Sequence, residues 1–408
     1  MPFDPSAPER RDERAPSAHP PSGVTSSHAT SAWWHDVSVP PRPALTKRVR
    51  ADVCVVGLGG TGLAAVREAQ ALGQRVIGVE AGRIAGAAAG RNGGLLLGGM
   101  ADFHHDAVAR WGREPAAVLY RQTVEHLAAM RTESPEHTWW RGSLRIADSA
   151  EELQDCERQL ETMRQDGLRV QLYEGPEGRG LFFPDDGACH PVRRALALAE
   201  LAERGGAVLY EGSPAVTVRE GLVELATGGQ VIAPAIVVCS DGALGRLVPE
   251  AAERLRSVRL QMLATAPTTD VRIPVPVYAR YGYDYWQQLA DGRVLLGGGR
   301  DRFEAEEYTD HDTPTDSVQG WLEERLRQRI GTQAAITHRW AATVTYTDDG
   351  LPLVDRFGFD LWGVGGFSGT GNVVGSLCGR SAMRAVLGRT DAFLAALRKA
   401  REKRRDGG

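Results

Sequence analysis

Residues 53–56, VCVV, form an unbroken apolar run that stops at Gly57, and Leu63, Val66, Ala69 and Leu72 then recur at helical spacing before a second run at residues 76–79. Short apolar runs bounded by turn residues predict buried strands, and the recurrence between them predicts an amphipathic helix, which together make a βαβ unit. A similar pattern returns near the other end of the chain. Residues 361–364 read as a short strand, residues 365–371 as a turn, and Val373, Val374, Leu377, Cys378 and Val386 fall on one helical face. In residues 283–299, YDYWQQLADGRVLLGGG, alternation places Tyr283, Tyr285 and Gln287 on one side of a strand. Val318, Trp321, Leu322, Leu326 and Ile330 make a helical apolar stripe that reads as core.

A chain of 408 residues with 42% hydrophobic content is long enough for two domains, each with its own core. The net charge of −4 implies no nucleic-acid partner, and no apolar run reaches the length of a membrane span. Five cysteines without a CxxC pair argue against a disulfide framework or a zinc site, and His104, His105 and His338 lack partners at zinc spacing. A cytoplasmic location fits that cysteine usage. Residues 1–32, rich in Pro, Ser, Ala and charge, are expected to be a disordered leader, and residues 396–408 a solvated basic tail. Lysine occurs only at Lys47, Lys399 and Lys403, so arginine is the cation of the body.

The glycines give the first βαβ unit a chemical reading. Gly57, Gly59 and Gly62, with Gly60 and Thr61 between them, make G-x-G-x-x-G where a strand turns into a helix. That turn lets backbone approach a pyrophosphate at a helix start, and Glu80 at the end of the next strand suits the ribose hydroxyls of an adenine dinucleotide. The late loop, GGFSGTGN, offers a second helix start, through Gly366, Phe367, Ser368, Gly369, Thr370, Gly371 and Asn372. Unpaired N–H groups there suit the negative pyrimidine edge of a reduced flavin. Two separated anion-friendly turns fit one long ligand, FAD, with its diphosphate at the first and its ring at the second.

These segments, together with Glu80-Ala81, the stretch from Gly90 through Arg91, Asn92, Gly93 and Gly94, GACHP at 187–191 and RWAATVTYTDDGLPLVD at 339–355, resemble the FAD-dependent D-amino-acid oxidase superfamily. Within it, the chain looks most like the γ-glutamylputrescine oxidase branch. The resemblance implies an α/β protein: a Rossmann-like FAD-binding domain of the glutathione-reductase type (33–142, 189–260 and 338–395) and an α+β substrate domain with an antiparallel sheet (143–188 and 261–337). It places Arg91, Asn92, Gly93 and Gly94 beneath the flavin, the backbone amide and carbonyl of Val216 at the adenine, and Ser240 and Gly242 at the turn closing over the cofactor. Ala81 and Arg83, flanking the dinucleotide strand, belong to the same expected contact set. Ala89 stands where the family commonly has serine. Val344 and Arg91 occupy positions where covalent branches carry an attachment residue, so the implied FAD is non-covalent.

The resemblance further implies oxidation of the C–N bond of a small amine or amino acid by hydride transfer to the flavin, then imine hydrolysis, with O2 or another acceptor taking the electrons. Tyr283, Tyr285, Gln287, Trp340, Tyr346 and Thr370 are the expected substrate-side residues. Two other classes stay open: an NAD(P)H-dependent flavin monooxygenase and a non-catalytic FAD-binding protein.

Overall fold

The structure, a computed structural model, describes residues 29–407. In chain order, the elements that build the site are β1 (Val53–Val56), α1 (Gly60–Ala71), β2 (Val76–Val79), β3 (Ser143–Ile146), β4 (Gln171–Gly175), β5 (Gly178–Phe183), α2 (Pro191–Arg204), β6 (Val208–Tyr210), β7 (Ala235–Val238), β8 (Arg256–Pro267), β9 (Val277–Ala279), β10 (Asp284–Gln288), β11 (Arg293–Gly298), β12 (Ile336–Tyr346), β13 (Leu353–Arg356), β14 (Leu361–Gly365), α3 (Ser376–Val386) and α4 (Ala392–Gly407).

One sheet has the order β6-β2-β1-β7-β14-β13, parallel except for β13. Both of its faces are covered, which is why β1 is apolar at every position. Val53 and Val55 face α1 and α3, while Cys54 and Val56 join a second core with Val223, Leu225 and Val231 of a small neighbouring sheet. The sequence's first and last apolar units are thus brought together: β7 lies between β1 and β14, so two units three hundred residues apart share a sheet.

Their helices touch as well. A Cβ at Gly379 of α3 would overlap the Thr61 carbonyl oxygen of α1, and one at Gly375 would meet Thr61 Oγ1 at 2.8 Å. Absent side chains therefore set the distance between α1 and α3.

A second, eight-stranded sheet has the order β12-β8-β11-β10-β9-β3-β5-β4, antiparallel apart from the β9–β3 pair. One face packs Leu144, Val277, Trp286 and Leu296 against Val318, Leu322 and Leu326, the stripe expected as core. The opposite face carries a row matched strand by strand: Arg145, Tyr278, Tyr285, Gly297, Met262 and Trp340. A Cβ at Gly297 would run into the Tyr285 ring, so glycine leaves that ring its place in the row. All of β8 and β12 belongs to this sheet, whereas the expected boundaries at 260 and 338 cut through both strands.

Both chain ends differ from expectation where they are described. Residues 1–28 of the expected leader lie outside the described residues, but Thr30 already pairs with Arg339, N to O at 2.8 Å, and Ala32 is buried. The basic tail is a packed helix for much of its length. Leu397 and Ala400 of α4 are buried, and Arg401 bonds Asp349 and the carbonyls of Leu351 and Pro352. Its charges lie on one side of an apolar stripe, so counting them without the stripe suggested solvent.

Substituting Gly379→Val forces α1 and α3 apart and should cost about 1–3 kcal/mol of stability. Thermal melting reads this directly, and an unchanged melting temperature would contradict the close helix contact.

Candidate functional site

The first glycine turn is held by the acid that follows it. Glu80 Oε2 accepts from Leu58 N at 2.8 Å and Oε1 from Gly82 N at 3.0 Å. Burial pushes its pKa up and the backbone donors oppose that shift. Gly57, Gly59, Gly60, Thr61, Glu80 and Ala81 line one end of a cavity of about 1940 Å³. Gly62 does not. It lies against the Gly57 carbonyl, where any Cβ would collide, so its part is to close the turn. Arg83 is also outside the cavity, pairing with Glu211 and the Val39 carbonyl.

The stretch 91–94 is fixed by four donors from four parts of the chain. Trp340 Nε1 donates to the Arg91 carbonyl at 2.8 Å, Trp34 Nε1 to Asn92 at 2.7 Å, Gln287 Nε2 to Gly93, and Cys189 N to Gly94 at 2.7 Å. Arg91 itself pairs with Asp312, and Arg91, Asn92 and Gly93 line the cavity while Gly94 does not. Trp340 and Gln287, expected against substrate, are instead buried positioning residues behind this backbone. Their polar ends have carbonyls to satisfy, and a buried donor takes the acceptor within reach.

The late loop meets this stretch directly. Asn372 Nδ2 donates to Asn92 Oδ1 at 3.0 Å and to the Leu95 carbonyl at 2.9 Å. On its other side, Asp241 accepts from Gly366 N at 3.0 Å, from Thr345 N at 3.2 Å and from the Thr345 hydroxyl. Asp241 and Ser368 both hold positive φ, 35° and 50°, which non-glycine residues adopt only under surrounding constraint. Phe367, Ser368, Gly369, Thr370, Gly371 and Asn372 line the cavity together with Ser240 and Gly242, whereas Gly366 sits behind it on Asp241. The Thr370 hydroxyl is used within the loop, donating to the Phe367 carbonyl at 2.6 Å. The Oγ atoms of Ser240 and Ser368 are buried and have no partner among the described residues, leaving two hydroxyls for a polar ligand.

Val216 is 60% exposed and lies off the cavity. Ser213 and Ala215 of the same segment line it, because the alternation of the strand turns the Val216 side chain outward.

At the far end stand Tyr283, Tyr285 and Tyr346, with Arg300 between two of them. The Arg300 guanidinium lies 4.6 Å from the Tyr283 ring centre and 4.7 Å from that of Tyr346. No described carboxylate pairs with it. Gly299 N donates to Asp284 Oδ1 at 3.2 Å and to the Tyr283 carbonyl, which fixes the turn that aims Arg300. Burial raises the pKa of Tyr283, while the nearby Arg300 lowers it, and burial also raises that of Tyr285. Sequence patterns singled out the tyrosines but not Arg300, Asp241, Trp34 or Asp186. GGGR at 297–300 was a visible signal, since a cation after three glycines has little local shielding.

Asp186 fastens the cavity wall to β3, accepting from Gly98 N at 2.8 Å and Ser143 Oγ at 2.6 Å. Burial pushes its pKa up to about 7. The folded chain then keeps a proton that the unfolded chain loses near pH 4, so stability falls as pH rises from about 4 to 7 and levels above that.

Two outcomes follow from these contacts. Gln287→Leu leaves the Gly93 carbonyl without its donor and should cost about 1–3 kcal/mol in thermal or urea unfolding. Asp186→Asn should remove the decline between pH 4.5 and 8, a few kcal/mol in size. Parallel pH profiles for the parent and this variant would contradict the buried, protonated carboxyl.

Comparison with known proteins gives three findings. Residues 52–384 match the family described as "FAD dependent oxidoreductase". Among curated relatives, a protein of Rhizobium meliloti named "Probable oxidoreductase OrdL" is 25% identical over 390 residues, covering 88% of each chain. The "Gamma-glutamylputrescine oxidoreductase" of Escherichia coli is 25% identical over 378 residues, 86% of this chain and 87% of that one. Among solved structures, glycine oxidase from Geobacillus kaustophilus superposes with a TM-score of 0.71 at 21% identity, covering 84% of this chain and 96% of its own.

Proposed function

The chain belongs to the FAD-dependent oxidoreductase family, and from that premise we propose that it oxidises the C–N bond of an amino acid held by its carboxylate on Arg300. The carrying observation is the guanidinium between Tyr283 and Tyr346, without a carboxylate partner among the described residues and in the same cavity as both glycine loops. An arginine fork matches a carboxylate in two parallel hydrogen bonds, so it fixes orientation as well as charge.

The residues fit non-covalent FAD. The first turn and Glu80 suit the dinucleotide, the unpartnered Ser240 and Ser368 hydroxyls await polar contacts, and the backbone of 91–93 forms the wall between the loops. Val344 lines the cavity and offers no attachment atom, while Arg91 is engaged with Asp312. When bound, FAD would supply an acceptor for a hydride from the substrate carbon, with O2 or another acceptor taking the two electrons in turn.

Everything else is positioning. Arg300 would hold the carboxylate so that the α-carbon hydrogen faces the second loop, where Tyr346 Oη lies beside Gly369. Tyr283 and Tyr285 stay neutral near pH 7, because burial raises both phenols, so they donate hydrogen bonds and do not act as bases. Asp241 is committed to Thr345 and Gly366. The substrate amine therefore enters neutral, loses hydride from carbon and a proton from nitrogen, and leaves as an imine. Water then hydrolyses the imine to a keto acid plus ammonia, or plus the corresponding amine where the substrate nitrogen is substituted.

The test is anaerobic bleaching of the FAD-loaded protein by amino acids and by the matching amines without a carboxylate. Amino acids should bleach it at lower concentration, and Arg300→Gln should raise their KM by roughly tenfold to hundredfold with a smaller change in kcat. FAD that is retained and never reduced by any amino acid or amine would overturn the reading. Equal behaviour of amino acids and simple amines would remove Arg300 from its role.

A further inference from the structure

Arg145 is a second cation in the cavity wall without an anion among the described residues. It comes from the middle of β3, is 7% exposed, and lines the same cavity as Arg300. Its guanidinium lies over two aromatic rings, 3.9 Å from the centre of Phe103 and 4.8 Å from that of Tyr278. Aromatic faces attract a cation but give no lone pair to the in-plane N–H groups, of which arginine has five. Its hydrogen bonds to described residues are neutral and incomplete: Nη1 reaches Gln159 Oε1 at a long 3.5 Å, the Tyr278 side chain accepts a further bond, and Nε has no partner among the described residues.

The carboxyl groups around this region are bonded elsewhere. Asp102 pairs with Arg110, and Asp186 accepts from Ser143 and Gly98. Glu152 takes Tyr281 N at 2.6 Å and Asp148 N at 2.9 Å. Arg145 is thus a desolvated charge held rigidly by two rings and facing a cavity large enough for more than a cofactor's ring and a small amino acid.

Its position relative to the reacting end is set by the sheet. Arg145, Tyr278 and Tyr285 are register neighbours on three adjacent strands. Two strand spacings, roughly 10 Å, separate Arg145 from Tyr285. Tyr281, Phe103 and Tyr285 line the same cavity, the Phe103 and Tyr281 rings 5.8 Å apart, and would suit an apolar spacer.

We propose that Arg145 is a second anion subsite, and that the substrate carries a distal carboxylate bound there while its amino-acid end lies at Arg300. The inference rests on the oxidative reading above and narrows its substrate class to amino acids with an additional carboxylate on a flexible or apolar arm. Arg145 touches the substrate's far end and none of the bonds that change.

The experiment needs no turnover. The FAD-bound full chain is titrated with linear monocarboxylates and α,ω-dicarboxylates of three to eight carbons, following the visible flavin spectrum. At least one dicarboxylate should bind roughly tenfold to hundredfold tighter than the monocarboxylate of equal length. Arg145→Gln should abolish that advantage while leaving monocarboxylate affinity within about twofold. Arg145→Lys keeps the charge without the fork and should retain part of it.

The proposal is overturned if no dicarboxylate in the parent protein outbinds its monocarboxylate, a result that needs no variant to fold. It is also overturned if the advantage survives Arg145→Gln. The two readings fail separately: a flavin that no amino acid reduces sinks the oxidative reading, while the titration still decides the subsite.

Discussion

Four consecutive carbonyls, those of Arg91, Asn92, Gly93 and Gly94, each accept a hydrogen bond from a different region of the chain: Trp340, Trp34, Gln287 and the Cys189 backbone. A short glycine-rich stretch has little conformational preference of its own, so it takes a single shape only where surrounding groups over-determine it. Two donors come from the eight-stranded sheet, one from the short strand Gly187–Cys189, and one from the segment ahead of the first strand. Fixing this stretch therefore requires the whole fold to be assembled, and the site is a consequence of tertiary structure even though its glycines are local.

The late loop depends on that stretch in turn. Asn372 bonds Asn92, Asp241 bonds Gly366, and the α1–α3 contact sets how far the loop stands from the first glycine turn. These contacts are part-buried and mutually dependent, so loss of one would be felt at the others. The positive φ values at Asp241 and Ser368 belong to the same economy: the network tolerates strained backbone where the cavity needs its N–H and hydroxyl groups placed.

The eight-stranded sheet supplies chemistry in a different way. Its face toward the cavity is a register row in which arginine and tyrosine replace the aliphatic residues of the opposite face. Charge enters the cavity through Arg145 and Arg300 without described carboxylate partners. A buried cation left unpaired is costly in a folded protein, and its retention is most readily understood where a ligand completes it. Aromatic neighbours reduce that cost and hold the guanidinium groups still, so the cavity is prepared for anions before any arrive.

Much of this was written locally. The run VCVV, the spacing of the first glycines, the acid at 80 and the late glycine loop are short-range patterns, and each reports a backbone shape that a few neighbouring residues dictate. The family resemblance added order and domain alternation, though it put boundaries inside β8 and β12, strands whose residues carry no sign of which sheet they join. What sequence could not decide was which way side chains face and whom they meet. Trp340 and Gln287 looked like pocket walls and proved to be donors to backbone, and Val216, expected to meet adenine through its backbone, turns its side chain to solvent. Arg145 and Arg300 looked like any of the many arginines. Secondary structure and glycine turns follow from interactions within a few residues, whereas the pairing or isolation of a charge depends on partners that only folding brings near.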